Sequence, residues 1–438
     1  MEWWQILGIV FISLIFLMAI GLPVAFSFMA INIVGVYVFW NGSAGLTQLT
    51  LSIYESVTSF SLLPVPLFVL MGEIMFLSGL ATKMMDVIDS WLGPLPGRLS
   101  LMAVTGGTMF ATLTGSAMGG TAMLGSTLVP EMEKRGYSKP MTLGPILGSG
   151  GLAIMIPPSA LGVLLAALGN FSVGKFLVAI IAPGIMMAVL YAAYIILRCY
   201  FQPQLAPVYR PRSIPMGVRI RNTLLHVFPL TTIVFLVVGL IFLGVATPTE
   251  SAAAGTVGCY LLAGFYGRLN WRIIKQSFKG ALKVTIMMFM ILTGSTAFSQ
   301  ILAFTGASTG LVEMATSLPM SPIFVIMAMQ LILLLLGTFM EPLSIMMLTV
   351  PIYFPIIESL GLSPLWFGVV MLLNMEMATT SPPFGLVLFV MKGVAPKGTT
   401  MGDIYKAAMP FLGCDMVAMI IMMAWPGFVL WLPGLMGS

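Results

Sequence analysis

The chain has 438 residues, of which 59% are hydrophobic and 8% are charged, and its formal net charge is +5. Apolar runs of about 18 or more residues recur from end to end, and each is long enough to cross about 30 Å of hydrocarbon. This composition excludes a soluble globular protein. A single histidine, His226, and three widely spaced cysteines supply neither metal-ligand spacing nor a catalytic set, so the chain is not expected to be an enzyme.

The apolar runs predict an all-α polytopic membrane protein. Ten spans are expected, in chain order at about 5–20, 22–40, 61–80, 141–169, 176–198, 224–245, 249–267, 281–303, 365–391 and 405–431. Two further apolar stretches, 99–130 and 321–356, carry a polar break in the middle and are predicted to form re-entrant helical hairpins. The N-terminus lacks the basic segment of a secretory signal, so the first run is expected to be a retained span.

One unusual pattern occurs twice, about 225 residues apart. A break rich in Gly, Ser and Thr interrupts an apolar run and is followed by a Pro-Pro pair, Pro157-Pro158 in the first half and Pro382-Pro383 in the second. Broken helices in a bilayer are tolerated where they line a cavity or contact a ligand. Matching breaks in two halves of a chain indicate a transporter binding site.

The basic residues indicate that the two halves are inverted. In the expected map eighteen of the nineteen lie on one side, which the positive-inside rule makes cytoplasmic, and Lys175 alone lies on the other. The loop at 131–139, after the first hairpin, carries three basic residues, whereas its counterpart at 357–364 carries none. Inverted repeats with breaks near the midplane are the architecture of alternating access.

This repeat predicts four parts. The first, 1–60, contains N-terminal scaffold spans, and 61–200 is the first repeat with its hairpin and interrupted span. A central cytoplasmic loop and further scaffold spans occupy 201–280, and the inverted second repeat occupies 281–438.

The breaks are predicted to bind a cation and an anion together. Proline removes an N–H and disfavours helix in the residue before it, so each Pro-Pro pair is expected to start a new half-helix, with the preceding residues unwound. Free carbonyls and half-helix C-termini suit a cation, whereas free N–H groups at half-helix N-termini suit an anion. The hydroxyls near the breaks add oxygen ligands of the kind that hard cations such as sodium favour.

Three carboxylates lie inside apolar runs, where a charge is costly and is a functional hypothesis by default: Glu73, Glu341 and Glu376. The last two are the better candidates for a cation ligand or a proton acceptor. For Glu73 the sequence leaves two interpretations open, a structural pairing and a role in coupling. Asp415 and Glu250 are expected at the membrane interface, near span ends.

The same motifs resemble one known family, the large membrane subunit of the tripartite ATP-independent periplasmic (TRAP) transporters. Together the matching segments cover nearly the whole chain in the family's order. They lie at 21–26, 66–72, 111–117, 148–159, 340–342, 350–355, 381–389 and 409–411.

The resemblance implies a sodium-coupled importer of organic acid anions, such as C4-dicarboxylates or sialic acids, that works by an elevator motion of the hairpins and interrupted spans. It also implies a small membrane subunit on a separate chain, a periplasmic substrate-binding protein, a bacterial inner-membrane location in contact with lipid, no cofactor besides Na⁺, and no nucleic-acid partner. Glu341 stands where the family commonly has Asp, and Ala378 where it commonly has Gly.

Carried over by position, two sets of site residues are expected. The cation ligands would be Gly115, Ser116, Gly119, Gly120, Thr121, Gly148, Ser149, Gly150, Gly337, Thr338, Glu341, Asn374, Glu376, Ala378, Thr379 and Thr380. The substrate would contact Ser116, Thr121, Pro157, Ser159, Thr380, Ser381 and Pro382.

Other readings stay open at this point. A stand-alone sodium- or proton-coupled dicarboxylate symporter or exchanger of related fold would need no binding protein. A scaffold protein of a membrane complex would not require paired breaks. The identity of the acid is not readable from the sequence, and dicarboxylates, sialic acids, keto acids and sulfonates are all compatible with it.

Overall fold

The computed structural model describes residues 2–40, 42–93, 95–114, 117–207, 215–317, 319–338 and 340–436. Within these ranges the regular elements are helices and no strand is present, which confirms the predicted all-α class. Gly115, Ser116 and two arginines of the central loop, Arg210 and Arg212, lie outside the described residues.

Twenty-two α-helices follow one another along the described chain. The first half contains α1 (Trp3–Ala19), α2 (Val24–Phe39), α3 (Ser43–Thr58), α4 (Pro64–Leu77), α5 (Leu80–Trp91), α6 (Arg98–Thr114), α7 (Ala117–Lys134), α8 (Lys139–Met155), α9 (Ala160–Leu168), α10 (Val173–Ala179) and α11 (Ile181–Phe201). The second half contains α12 (Met216–Asn222), α13 (Phe228–Phe242), α14 (Pro248–Phe265), α15 (Trp271–Phe304), α16 (Ala307–Ser317), α17 (Pro322–Gly337), α18 (Pro342–Ser359), α19 (Pro364–Thr380), α20 (Leu386–Val394), α21 (Met401–Ala424) and α22 (Pro426–Gly434).

The helices account for some of the ten predicted membrane spans. Among the described residues, six helical segments are long and apolar enough to cross a bilayer, and α8 with α9, bent by 44°, makes a seventh. The apolar helices α1, α2 and α17 are shorter. Helix α15 has 34 residues and is about 50 Å long, so it extends past the hydrocarbon region. The basic residues of α15 lie in its N-terminal part, from Arg272 to Lys283.

Each half repeats one packing arrangement. Helices α6 and α7 contact each other, and both pack against α8; α17 and α18 contact each other, and both pack against α19. The polar breaks at 115–116 and 338–341 separate the two arms of each pair. This arrangement is the one expected of two hairpins set against two interrupted helices. Re-entry of the hairpins into the membrane stays a prediction.

The interruptions lie later in the chain than expected. Helix α8 continues to Met155 and α9 begins at Ala160, while α19 continues to Thr380 and α20 begins at Leu386. The glycine-rich segment before Pro157 is therefore helical, and the prediction that it is unwound was wrong. The reason is that proline restricts only the residue immediately before it. That residue is extended in both halves, with φ −113° and ψ 123° at Ile156 and φ −80° and ψ 130° at Ser381.

Two other boundaries differ from the sequence reading. The sequence between the predicted spans 22–40 and 61–80 was assigned to no span, but Ser43–Thr58 within it forms α3, which packs against α2 and α15. The last predicted span is divided between α21 and α22, because Trp425 precedes a proline and is not helical, with φ −133° and ψ 78°.

The two interrupted helices form the centre of the molecule. Every residue of α8 from Met141 to Met155 is buried, as is every residue of α19 from Trp366 to Thr380. By contrast α1, α2 and α13 expose many large apolar side chains, as expected of helices that face lipid. The segments that carry the predicted site therefore lie within the core.

Candidate functional site

In the first half, the hairpin meets the interrupted helix at Thr121 and Gly150. A Cβ atom added to Gly150 would lie 2.2 Å from the Thr121 hydroxyl oxygen, so only glycine permits this approach. The Thr121 hydroxyl is buried and has no hydrogen-bond partner among the described residues. Buried polar groups are normally paired, so this oxygen is available to a ligand. Ser149, in contrast, already donates to the carbonyl of Ile146 at 3.1 Å.

The hairpin of the second half also contacts its interrupted helix. A Cβ atom added to Gly337, at the end of α17, would lie 2.4 Å from the Cβ atom of Ala378 on α19. Thr338 ends α17 and donates to the carbonyl of Leu335 at 2.7 Å. Glu341 occupies the N-cap position of α18. The tip of this hairpin therefore rests on the interrupted helix at the residue where the family commonly has glycine.

The remaining predicted cation ligands lie close to these contacts. The Asn374 amide nitrogen donates to the backbone and side-chain carbonyls of Gln330, at 2.8 and 3.0 Å, while its side-chain oxygen has no partner among the described residues. Thr379 and Thr380 donate to helix carbonyls at 2.8 and 3.2 Å. Gly119 and Gly120 lie in the first turn of α7, and Gly148 packs on the ring of Phe411.

Glu376 of α19 is buried in the core, next to Gly151 of α8. Its side chain is fully buried, and a Cβ atom added to Gly151 would lie 1.6 Å from its Oε1 atom. The carboxyl group of Asp415, on α21, lies beside it, and the Tyr191 hydroxyl of α11 donates a hydrogen bond to the Asp415 carboxyl group. Among the described residues no donor reaches either Glu376 oxygen.

The placement of Asp415 corrects the sequence interpretation. Asp415 was expected at the interface, but it is 1% exposed and lies near the middle of α21. The helix begins earlier than the apolar run because Thr400 and Asp403 cap it, and it ends at Trp425. Glu250, the other carboxylate expected there, is exposed and accepts a hydrogen bond from the Thr247 amide at 2.8 Å.

Sequence reasoning missed Asp415, Tyr191 and Gly151 as neighbours of Glu376. One signal for the contact between Gly151 and Glu376 was present in the sequence, in the constant offset between the two halves. The offset that relates Pro157 to Pro382 also relates Gly151 to Glu376, so a glycine of the first half leaves space for a glutamate of the second half.

The elements of the two halves meet at a cavity of about 330 Å³. The hairpin-tip and break residues in its wall include Met118, Gly119, Pro158, Glu341 and Thr379. Helices α4 and α15 close the other side. This volume lies at the lower end of the range for small-molecule sites. The cavity therefore fits a small solute held between both hairpins and the two breaks.

Several predicted substrate contacts lie outside the cavity wall. Thr121, Pro157, Thr380, Ser381 and Pro382 do not line it. Ser159 is not in the wall either: its hydroxyl accepts a hydrogen bond from the Gly162 amide at 3.1 Å and donates to the Ile154 carbonyl at 2.7 Å, which caps α9. The Pro157-Pro158 and Pro382-Pro383 bonds are both cis.

Helix termini set the electrostatic character of this region. Helices α8 and α19 direct their C-terminal carbonyls toward the breaks, and α9 and α20 begin beyond them. The last carbonyls of a helix lack intrahelical partners and carry partial negative charge, whereas the first N–H groups carry partial positive charge. A cation and an acid group can therefore be accommodated a few ångströms apart without a basic side chain.

The fold and the paired breaks define a helical membrane transporter. Two solved transporters share the fold: YdaH of Alcanivorax borkumensis, with a TM-score of 0.64 at 14% identity over 88% of this chain and 90% of that one, and MtrF of Neisseria gonorrhoeae, with 0.62 at 15% over 87% and 84%. The sequence profile of the DctM component of tripartite ATP-independent periplasmic transporters matches residues 11–428. The chain belongs to this family, as the resemblance predicted.

Relatives with assigned cargoes support the same membership. The C4-dicarboxylate large permease protein DctM of Vibrio cholerae is 30% identical over 98% of both chains. The ectoine large permease protein TeaC of Halomonas elongata is 26% identical, over 96% of this chain and 97% of TeaC. The isethionate permease protein DctMQ of Oleidesulfovibrio alaskensis is 27% identical, over 87% of this chain and 59% of DctMQ.

Family membership fixes the general role of the chain. It is a transporter permease subunit and not an enzyme, and it is a polytopic protein of the inner membrane. Large permease subunits of this family work with a small permease and a periplasmic binding protein.

Proposed function

We propose that this chain carries a small organic acid across the inner membrane together with sodium ions, by alternating access of an elevator type. The paired contacts of Thr121 with Gly150 and of Gly337 with Ala378 carry the proposal. In each half a hairpin residue contacts an interrupted helix: Thr121 of α7 contacts Gly150 of α8, and Gly337 of α17 contacts Ala378 of α19. These contacts support the proposal because transporters built from inverted repeats bind their coupling ions at interrupted helices.

Sodium would bind at each of these contacts. The Thr121 hydroxyl is a buried oxygen without a partner among the described residues, and Glu341 brings a carboxylate to the second hairpin. Hydroxyl, carbonyl and carboxylate oxygens are the ligands that hard cations take. The carbonyl ends of α8 and α19 add negative potential in the same region.

The moving part would consist of the hairpins α6–α7 and α17–α18 with the interrupted helices α8–α9 and α19–α20. These elements enclose most of the cavity, whereas α4 and α15 close it from outside. Displacement of the enclosed elements along α4 and α15 would carry the cargo past a fixed wall.

The cargo would be a small acid whose negative group is bound by helix N-termini and hydroxyls. The names of the relatives assign them C4-dicarboxylates, isethionate and ectoine as cargoes, so the fold of this family accommodates different acids. A periplasmic binding protein would select and deliver the acid. The small permease would be a separate polypeptide, although the name DctMQ of one relative denotes both components.

Uptake into proteoliposomes tests the proposal. The chain and its small permease are reconstituted, an inward sodium gradient is imposed, and labelled succinate, isethionate and ectoine are offered with and without the binding protein. Uptake that needs both sodium and the binding protein supports the proposal. Uptake with sodium alone would indicate a stand-alone symporter, and uptake driven by a proton gradient without sodium would overturn the sodium assignment.

A further inference from the structure

The cavity between the hairpin tips has an acidic wall. Glu73 of α4 and Glu341 of the second hairpin both line it, and none of the described residues in the wall is lysine, arginine or histidine. The rest of the wall is largely apolar and includes Phe68 and Phe76. A purely anionic cargo would therefore meet like charge on two sides.

Glu73 has no ion-pair or hydrogen-bond partner in the part of the chain that the structure describes. It is half-buried, and no ion pair or hydrogen bond to its carboxylate is present among the described residues. It packs against Gly280 of α15, where an added Cβ atom would lie 2.6 Å from the Glu73 Cδ atom, so the carboxylate is held in the wall on that side. A carboxylate inside a membrane protein is costly and is normally paired or functional.

The two carboxylates differ in their surroundings. Glu341 begins a helix at the tip of a proposed sodium-binding hairpin, and a bound sodium ion would neutralise it. Glu73 also lines the cavity but belongs to α4, which is neither a hairpin arm nor an interrupted helix. After sodium binding, Glu73 is the charge in the described wall that still lacks a partner.

We propose that the cargo is a zwitterion, and that Glu73 pairs with a cationic nitrogen that the cargo carries in addition to its acid group. This inference rests on the proposed transport function and names the substrate class of the same cavity. The acid group faces the helix N-termini at the breaks, and the nitrogen faces α4. Phe68 and Phe76 also line the cavity, and aromatic rings attract cations, including methylated or cyclic ones.

The location of Glu73 also gives it a specific part in the cycle. Because α4 belongs to the proposed fixed wall, the ion pair exists only while the cargo faces α4. Displacement of the hairpins separates the nitrogen from Glu73. Glu73 would therefore select the cargo in one state and lose contact with it in the other.

Matched ligand pairs test this inference. Taurine and isethionate share one carbon skeleton, but taurine carries an ammonium group where isethionate carries a hydroxyl group. The pair 4-aminobutyrate and 4-hydroxybutyrate differs in the same way. Ectoine is included as a cyclic zwitterion. Dissociation constants are measured by calorimetry on the purified complex of this chain with its small permease, in saturating sodium. The variants are Glu73→Gln, Glu73→Lys and, as a control, Glu55→Gln, which changes an exposed glutamate of α3.

We expect at least one zwitterion to bind tenfold or more tightly than its hydroxyl analogue. Glu73→Gln should remove that preference, Glu73→Lys should reverse it, and Glu55→Gln should leave it unchanged. The inference is overturned if the hydroxyl analogues bind as tightly, if no zwitterion binds, or if Glu73→Gln changes sodium affinity instead of ligand preference.

These outcomes separate the inference from the function on which it rests. Sodium-driven uptake of isethionate or succinate that is insensitive to Glu73→Gln would retain the transport proposal and remove the zwitterion. Zwitterion binding that depends on Glu73, combined with uptake that does not respond to sodium, would retain the substrate class and remove sodium coupling.

Discussion

The contact between Gly151 and Glu376 predicts a large effect from a small substitution. In Gly151→Ala, the new Cβ atom would lie 1.6 Å from the Glu376 Oε1 atom, 2.5 Å from Cδ and 2.8 Å from Cγ. Atoms cannot approach so closely, so the side chain or the two helices must move. Glu376 is fully buried with the carboxyl group of Asp415 beside it, so its carboxylate cannot turn toward solvent.

Two opposing effects set the size of the change. Overpacking a close-packed core costs about 1–3 kcal/mol. Replacing glycine by alanine within a helix returns about 0.8–1 kcal/mol. Because the displaced group is a buried carboxylate, we expect the packing cost to lie at the upper end, with a net loss of about 1–2 kcal/mol in the free energy of unfolding. Gly413→Ala, on α21, is the control, since no atom lies within 4 Å of its added Cβ.

Thermal unfolding of the purified complex in detergent measures the effect. We expect Gly151→Ala to lower the midpoint, whereas Gly413→Ala should leave it unchanged or raise it. The double variant Gly151→Ala, Glu376→Ala removes all three close atoms and should be more stable than the sum of the single variants predicts, with a coupling of about 0.5–3 kcal/mol. Equal midpoints for the two glycine variants, or strict additivity in the double variant, would refute this reasoning.

Two further predictions concern buried hydroxyls. Thr121→Val retains the side-chain volume but removes the unpartnered oxygen, so the sodium concentration for half-maximal uptake should rise at least tenfold. Thr127→Val, at an exposed site on the same helix, is the control and should have no such effect. An unchanged sodium dependence in Thr121→Val would exclude Thr121 as a ligand. Tyr191→Phe removes the hydroxyl that donates to Asp415, which should lower the free energy of unfolding by about 1–3 kcal/mol. Tyr194→Phe, on the same helix, is its control in a thermal unfolding assay, and equal stability of the two variants would contradict the assigned role of the hydroxyl.

Local sequence rules predicted the class of fold and the parts of the chain that converge. Apolar runs, polar breaks and Pro-Pro pairs are short-range features, and they located α6–α7, α17–α18 and both interrupted helices. The same rules misjudged how far a proline acts. Its restriction is steric and reaches a single residue, so the helix before Pro157 continues to Met155.

The rest depends on contacts between distant parts of the chain. Asp415 joins Glu376 and Tyr191 through the packing of α21 and α19 against α11 and α8, which no local pattern records. A helix that is partly polar, such as α3, is also missed, because its stability comes from packing against α2 and α15 more than from its own composition. Glu73 was identified as an intramembrane charge, but its place in the cavity wall depends on the tertiary fold.

The burial of Glu376 between the repeats also bears on how the protein is made. During translation, Gly151 and Tyr191 are synthesised first, Glu376 follows, and Asp415 comes last. The interrupted pair α19–α20 must therefore enter the membrane with an ionisable residue near its middle before α21 exists to cover it. Insertion of an isolated charged residue at the centre of a bilayer is unfavourable by about 2.5–3.5 kcal/mol on translocon scales. The first repeat, already synthesised, offers a glycine that the glutamate side chain can occupy, so early assembly of the N-terminal half would assist insertion of the C-terminal half.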